Sequence, residues 1–231
     1  MQLRTSVLRK NGITEAITLE WDHCVAIGYA GRDQESVMAH VEELRAIGVP
    51  APEKIPSMYW VDPTRVLSDS LLWVVGDGCS GEVEFFMAKD RNGDAYITIA
   101  SDHTDRALET VSVSKAKQCC SKIVADTFWS VADVQDHWDS ILLRSWVKSS
   151  DESAERPYQE GSLAKLLPLE KLLELAVEDA PADGILSFFS GTIPLLAEIC
   201  YKGTFRMEIF DPVLNRSVGH SYRVGVLPDR N

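Results

Sequence analysis

Residues 80–106, SGEVEFFMAKDRNGDAYITIASDHTDR, constrain this chain more than any other stretch. Asn92-Gly93 sits between two runs rich in β-branched and aromatic residues, which is the strongest short-range hairpin signal. Glu82 and Glu84 lie two positions apart on the first arm. Strand side chains alternate faces, so these two carboxylates point the same way, roughly 7 Å apart along the backbone. The second arm, Ala95 to Ile99, leads to Asp102. A tight two-residue turn would set Glu84 against Ser101 and send Asp102 to the opposite face. One extra residue in a bulged loop sets Glu84 against Asp102 and gathers Val83, Phe85, Met87, Ile97 and Ile99 on the other face. A buried face enforces such separation, so the bulged loop is expected. Three carboxylates meeting there repel one another, and a bound cation relieves the repulsion. An all-oxygen donor set suits Mg2+, Mn2+ or Ca2+ better than zinc. The same Glu-x-Glu spacing also suits the solvated side of a strand, and spacing alone leaves both readings open.

The chain has 231 residues, 45% hydrophobic and 25% charged, enough for a substantial core. A formal charge of −12, with no basic run, argues against nucleic acid or an anionic membrane surface as a partner. The five cysteines form neither a disulfide framework nor a CxxC zinc pattern, which suits a reducing compartment. No signal-peptide core or membrane-length apolar run is present, so the cytoplasm is the expected location.

Strands are expected at 3–9 and 14–20 around Asn11-Gly12, and at 24–29. Asp33 is placed to cap a helix whose apolar positions are Val37, Val41 and Leu44, stopped by Gly48 and Pro50. His40 lies at the edge of that stripe with Glu43 one turn on, so the two side chains are within reach of each other. A carboxylate that orients an imidazole makes it a general base near neutral pH. Further strands are expected near 58–61, 71–75, 140–147, 185–189, 205–210 and 222–226, with helices near 104–110 and 166–177. Residues 149–157 read as a charged surface loop. Strands outnumber helices without βαβ alternation, which predicts an α+β, β-rich roll or sandwich with a few peripheral helices. A zinc site from Asp102, His103, Asp105 and Cys119, a catalytic role for His137-Trp138-Asp139, and nucleophilic Cys119 or Cys120 are weaker alternatives.

The order of motifs is similar to the fumarylacetoacetate hydrolase superfamily, in a branch of unassigned function. The resemblance rests on Gly31-Arg32 leading into His40-x-x-Glu43, then Glu82-x-Glu84, Ser101-Asp102-His103-Thr104-Asp105-Arg106, Lys117, Tyr158-Gln159-Glu160-Gly161, and Ser190-Gly191-Thr192-Ile193-Pro194. It implies a single catalytic domain over 1–231, with strands and a lid helix in 1–57 and a mixed β-sandwich roll in 58–231. It implies Glu82, Glu84 and Asp102 as ligands of Mg2+ or Mn2+, with Ca2+ also possible. Carried over likewise, His40 and Glu43 belong to a mobile lid and activate water, and Lys117, preferred to Lys115, contacts substrate oxygens. Gly191 and Thr192 hold a substrate carboxylate, and Arg106 is ion-paired near the site. Arg32 and Gln159 complete the implied substrate-binding set. The chain departs from the family's usual pattern at Asp33-Gln34, by a few extra residues before His40, and at Glu109, which would place an acidic group toward the substrate.

The activity so implied is metal-dependent hydrolysis of a carbon–carbon bond in a β-dicarbonyl or 2-oxo acid, in a homodimer. Decarboxylation, hydration or tautomerisation of a 2-oxo acid would use the same metal site, and a noncatalytic ligand-binding scaffold is the alternative of another class.

Overall fold

In the computed structural model, which describes residues 1–178, 180, 181 and 183–230, the central hairpin pairs Val83–Lys89 with Ala95–Ser101. Its loop is bulged as expected, but it closes on Asp90 and Asp94 rather than shifting the arms the other way. The Gly93 amide donates to the Asp90 carbonyl at 3.1 Å, and the Asp90 amide to the Asp94 carbonyl at 3.0 Å. Gly93 takes φ +87°, the left-handed conformation this closure requires. The Asp90 carboxylate accepts from the Asn92 and Asp94 amides, fixing the loop from within. Glu84 therefore pairs with Ala100, not with Asp102, and the Asp102 amide donates to the Glu82 carbonyl at 3.0 Å. The shift is two residues, an even number, so every side chain keeps its expected face.

The hairpin is shared by two sheets' worth of packing. Pairings run from Val83–Lys89 through Thr14–Glu20, Gln2–Leu8 and Thr127–Ser130 to Ala95–Ser101, which pairs back to the first strand and closes a ring of five. Leu186–Phe189, His23–Gly28 and Ser57–Val61 extend this sheet from one side, Lys122–Val124 and Val66–Leu67 from the other. A second sheet orders Arg156–Ser162, Leu142–Lys148, Gly203–Asp211, Arg216–Leu227 and Leu71–Val75. The face carrying Val83, Phe85, Met87, Ile97 and Ile99 packs on this second sheet through Leu143, Val147, Phe205, Met207 and Ile209. The other face is not solvated: Phe86, Ala88, Tyr96 and Ala100 join Val7, Leu19, Trp21 and Phe128 in a second core. Both arms are thus buried on both sides, and the carboxylates stand at the end of this second, mostly apolar face.

Helices are few and peripheral. Gln34–Ala46 begins where Asp33 accepts from the Glu35 and Ser36 amides, and only Val37 and Val41 of it are buried. Leu169–Glu178 starts after Pro168 and buries Leu169, Leu172, Leu175 and Ala176. The lysine-rich 114–118, which the sequence pattern did not mark, lies in the helix Val113–Cys119, capped by Ser112. Residues 158–161 lie in a strand that the sequence pattern did not mark. The α+β, β-rich architecture is as expected. No helix among the described residues is long and apolar enough to cross a membrane.

Candidate metal centre

The two strands of one hairpin bring the acids together. Glu82 precedes the first hairpin strand, Glu84 lies in it, and Asp102 follows the second. One carboxylate oxygen from each lies within 4.8 Å of the others. Glu84 and Asp102 are buried, at 2% and 0% exposure, whereas the Glu82 side chain keeps an opening of 21%. Only oxygen donors face one another here, so the set fits a hard divalent cation.

Cations already bracket these acids. Lys117 contacts one Asp102 oxygen and lies 3.7 Å from Glu82. Lys122 holds the other Asp102 oxygen at 2.6 Å and donates to the His103 carbonyl at 2.5 Å. Arg106 reaches Glu82 at 3.1 Å, Glu109 at 3.0 Å and the Ser80 hydroxyl at 2.7 Å. Four carboxylates thus face three cationic side chains, leaving one negative charge in excess when all are ionised. Burial alone would raise Asp102, but Lys117 and Lys122 outweigh it and hold the carboxyl well below its usual range. Burial and then the neighbouring Asp102 push Glu84 well above its usual range. Burial opposes the charge on Lys117, yet Asp102 and Glu82 prevail and keep it protonated. His103, beside Asp102 in sequence, is neutral: burial pushes it down to about 3, and its Nδ1 meets the Tyr222 hydroxyl at 3.1 Å.

The late Ser-Gly-Thr motif meets the hairpin from the opposite side. The Gly191 amide donates to Glu84 at 2.7 Å, and the Thr192 hydroxyl donates to the Val83 carbonyl at 2.9 Å. Gly191 has φ +85°, and a Cβ there would stand 2.7 Å from the Ile27 carbonyl oxygen. Gln159 is buried and fully engaged: it accepts from the Val83 amide and donates to Thr192 and the Ile193 carbonyl. It therefore locks the hairpin to the strand carrying it, with no donor or acceptor left toward a ligand.

Other residues named from the sequence stand apart from the acids. His40 and Glu43 contact each other at 3.5 Å on the exposed side of their helix, with side-chain exposures of 60% and 77%. Arg32 makes a two-pronged ion pair with Asp139 at 2.8 Å and also donates to the Leu166 carbonyl. His137 lies 3.0 Å from Asp211, and Asp105 caps the short helix Arg106–Glu109, so the zinc and His-Trp-Asp constellations do not assemble.

Lys122, Tyr29 and Tyr59 escaped the sequence reading. Lys122 sits in CSKIVA, among residues that are nearly all buried, and a lysine inside such a run is itself the signal. Tyr29 holds φ 59°, rare for a residue with a side chain, and its hydroxyl feels Tyr59, Glu109 and Lys117; burial pushes it up to about 12. Tyr59 presents its ring 5.9 Å from the Lys117 ammonium.

Comparison with solved structures places this fold among known ones. The 2-keto-3-deoxy-D-arabinonate dehydratase apo form matches with TM-score 0.66 at 13% identity, covering 94% of this chain and 78% of that one. Cg1458 with inhibitor matches with TM-score 0.62 at 17% identity, covering 94% and 84%. The 4-oxalocrotonate decarboxylase from Pseudomonas putida G7, complexed with magnesium and adipate, matches with TM-score 0.54 at 13% identity, covering 89% and 79%. No curated protein sequence matches. The fold is the one these solved structures share, an α+β, β-rich arrangement as expected. Residues 27–222 match the family model described as "Protein of unknown function (DUF2848)", and the chain belongs to that family.

Proposed function

We propose that this protein is a divalent-metal-dependent enzyme acting on a 2-oxo or β-dicarbonyl acid, with Glu82, Glu84 and Asp102 holding Mg2+ or Mn2+. The observation that carries the reading is the convergence of three carboxylate oxygens within 4.8 Å, two of the acids buried, beside a buried ammonium. A cation held by Glu82, Glu84 and Asp102 would supply Lewis acidity to a substrate's paired oxygens. Lys117 adds positive charge at the same oxygens, and Gly191 fixes the orientation of Glu84. Arg106 pairs with Glu82 and Glu109, and the Tyr59 ring stands 5.9 Å from the Lys117 ammonium.

Within this class, decarboxylation, hydration or dehydration, or tautomerisation is favoured over hydrolysis. His40 and Glu43, the implied water-activating pair, contact each other on the exposed side of their helix, and among the described residues no hydrogen bond or ion pair joins them to a carboxylate of the centre. Solved structures with this fold include a dehydratase complexed with magnesium and 2,5-dioxopentanoate and the decarboxylase with magnesium, which supports the same order. Hydrolytic carbon–carbon cleavage stays the second reading because His40 and Glu43 do pair, at 3.5 Å, on the helix that follows Gly31-Arg32. The proposal treats residues 1–231 as one catalytic unit acting as a homodimer, which light scattering checks directly.

The test is a screen of acylpyruvates, oxaloacetate and related 2-oxo acids with Mg2+ or Mn2+ added. Glu84→Ala should lower activity by more than about 100-fold; unchanged activity would remove the metal from the reaction. His40→Ala should leave a lyase or tautomerase largely intact, and its collapse would restore hydrolysis to first place.

A further inference from the structure

Asp102 is held on both oxygens by ammonium groups, Lys122 on one and Lys117 on the other. A divalent cation coordinated by Asp102 would meet one of these ammonium groups as a like-charged neighbour on whichever oxygen it approaches. We propose that the two lysines are not equivalent: Lys122 is the permanent counter-ion that orients Asp102, and Lys117 is the one that an incoming cation displaces toward the substrate.

The surroundings of each ammonium separate the roles. Lys122 is wholly buried and carried on Lys122–Val124, a strand paired on one side with Val66–Leu67 and on the other with Ala95–Ser101, the strand that delivers Asp102. Among the described residues its other partner is the His103 carbonyl, so leaving Asp102 would strand a buried ammonium with no carboxylate. Lys117 rides on the seven-residue helix Val113–Cys119 at the edge of the centre and is 7% exposed. On release from Asp102 it still has Glu82, whose side chain is 21% exposed, at 3.7 Å and the Tyr59 ring at 5.9 Å. Its neighbour Lys115, on the same helix, is exposed and belongs to the solvent. The exchange also fits the charge count. Replacing an ammonium by a divalent ion at Asp102, with Lys117 turned outward, makes the mouth cationic and matches a substrate that carries a carboxylate.

This inference rests on the metal reading above, and the experiment separates their failures. The full-length protein is exposed briefly to a water-soluble amine-acylating reagent with and without saturating Mg2+, and each lysine is quantified by mass spectrometry against Lys115 as the exposed reference. Binding is measured separately by the loss of free Mn2+ signal in electron paramagnetic resonance. The expected result is that Mn2+ binds, Mg2+ raises labelling of Lys117 several-fold, and Lys122 stays unlabelled throughout. Lys117→Met should bind Mn2+ as tightly as the wild type or more so, since no ammonium has to leave. If the ion binds but Lys117 remains protected, or Lys122 becomes labelled, or Lys117→Met loses binding, the division of roles is wrong while the metal reading stands. If the folded wild type binds no ion, both fall.

Discussion

Gly191 shows how much a single residue carries. Its left-handed backbone and the 2.7 Å approach to the Ile27 carbonyl exclude a Cβ, and its amide fixes Glu84. Gly191→Ala should cost more than about 1 kcal/mol, read as a lower urea midpoint, and should weaken Mn2+ binding in the folded fraction. A substitution tolerated on both counts would mean that the Glu84 contact is dispensable. Gly191 was named from the sequence as a carboxylate-binding residue, whereas its amide here is spent on a protein carboxylate. Gln159 differs in the same way, its polar atoms all consumed inside the fold. Motif residues are visible in a sequence, but hydrogen-bond partners from strands far apart in the chain are not. Lys122 illustrates the reverse case, since its partner Asp102 lies twenty positions away, just past the end of another strand, and no local pattern joins them.

At the scale of elements, the helix Gln34–Ala46 is the least anchored of the longer helices. It buries two residues, where Leu169–Glu178 buries four. Amide exchange should therefore be faster in 34–46 than in 169–178, and Asp33→Ala should speed it further in the first turn by removing the cap. Equal protection of the two helices would contradict this. The hairpin of Gly203–Asp211 and Arg216–Leu227 gives a pH prediction. Asp211, buried at its turn, accepts from the Val213 and Leu214 amides and meets His137. Burial alone would raise its carboxyl, but the Leu214 amide and His137 outweigh burial and hold it below its ordinary value. A depressed folded value stabilises above the unfolded one and is lost as pH falls through the folded one. Asp211→Asn should thus lower the urea midpoint at pH 7, and the gap to wild type should narrow as pH drops below the ordinary aspartate range. A gap that stays constant into acid would assign the effect to something other than charge. The turn itself was legible only as two flanking strands; what Asp211 holds together became visible once those strands were paired.

For the whole molecule, Phe85 sits between the sheets, edge-on to Trp138 at 5.2 Å and to Phe188 at 5.9 Å, with no exposure. Phe85→Ala should cost about 3–5 kcal/mol, measured by urea unfolding, and a loss below that range would mean that the core collapses around the gap. Binding of Mg2+ to the native state alone should stabilise the protein by about 2.7 kcal/mol at a hundred times its Kd, an increment that Glu84→Ala should abolish in thermal scans. The sequence by itself determined the hairpin, the face each of its side chains takes, and the carboxylates at its end. Alternation of side chains on a strand is local, and it survives a two-residue error in register because that error is even. Only the tertiary structure decided that the second face is also a core, that Lys122 and Lys117 share Asp102, and that His40 and Glu43 stand outside on their own helix. Those outcomes depend on which distant strands close the ring, and long-range pairing leaves no periodic trace in the segments it joins.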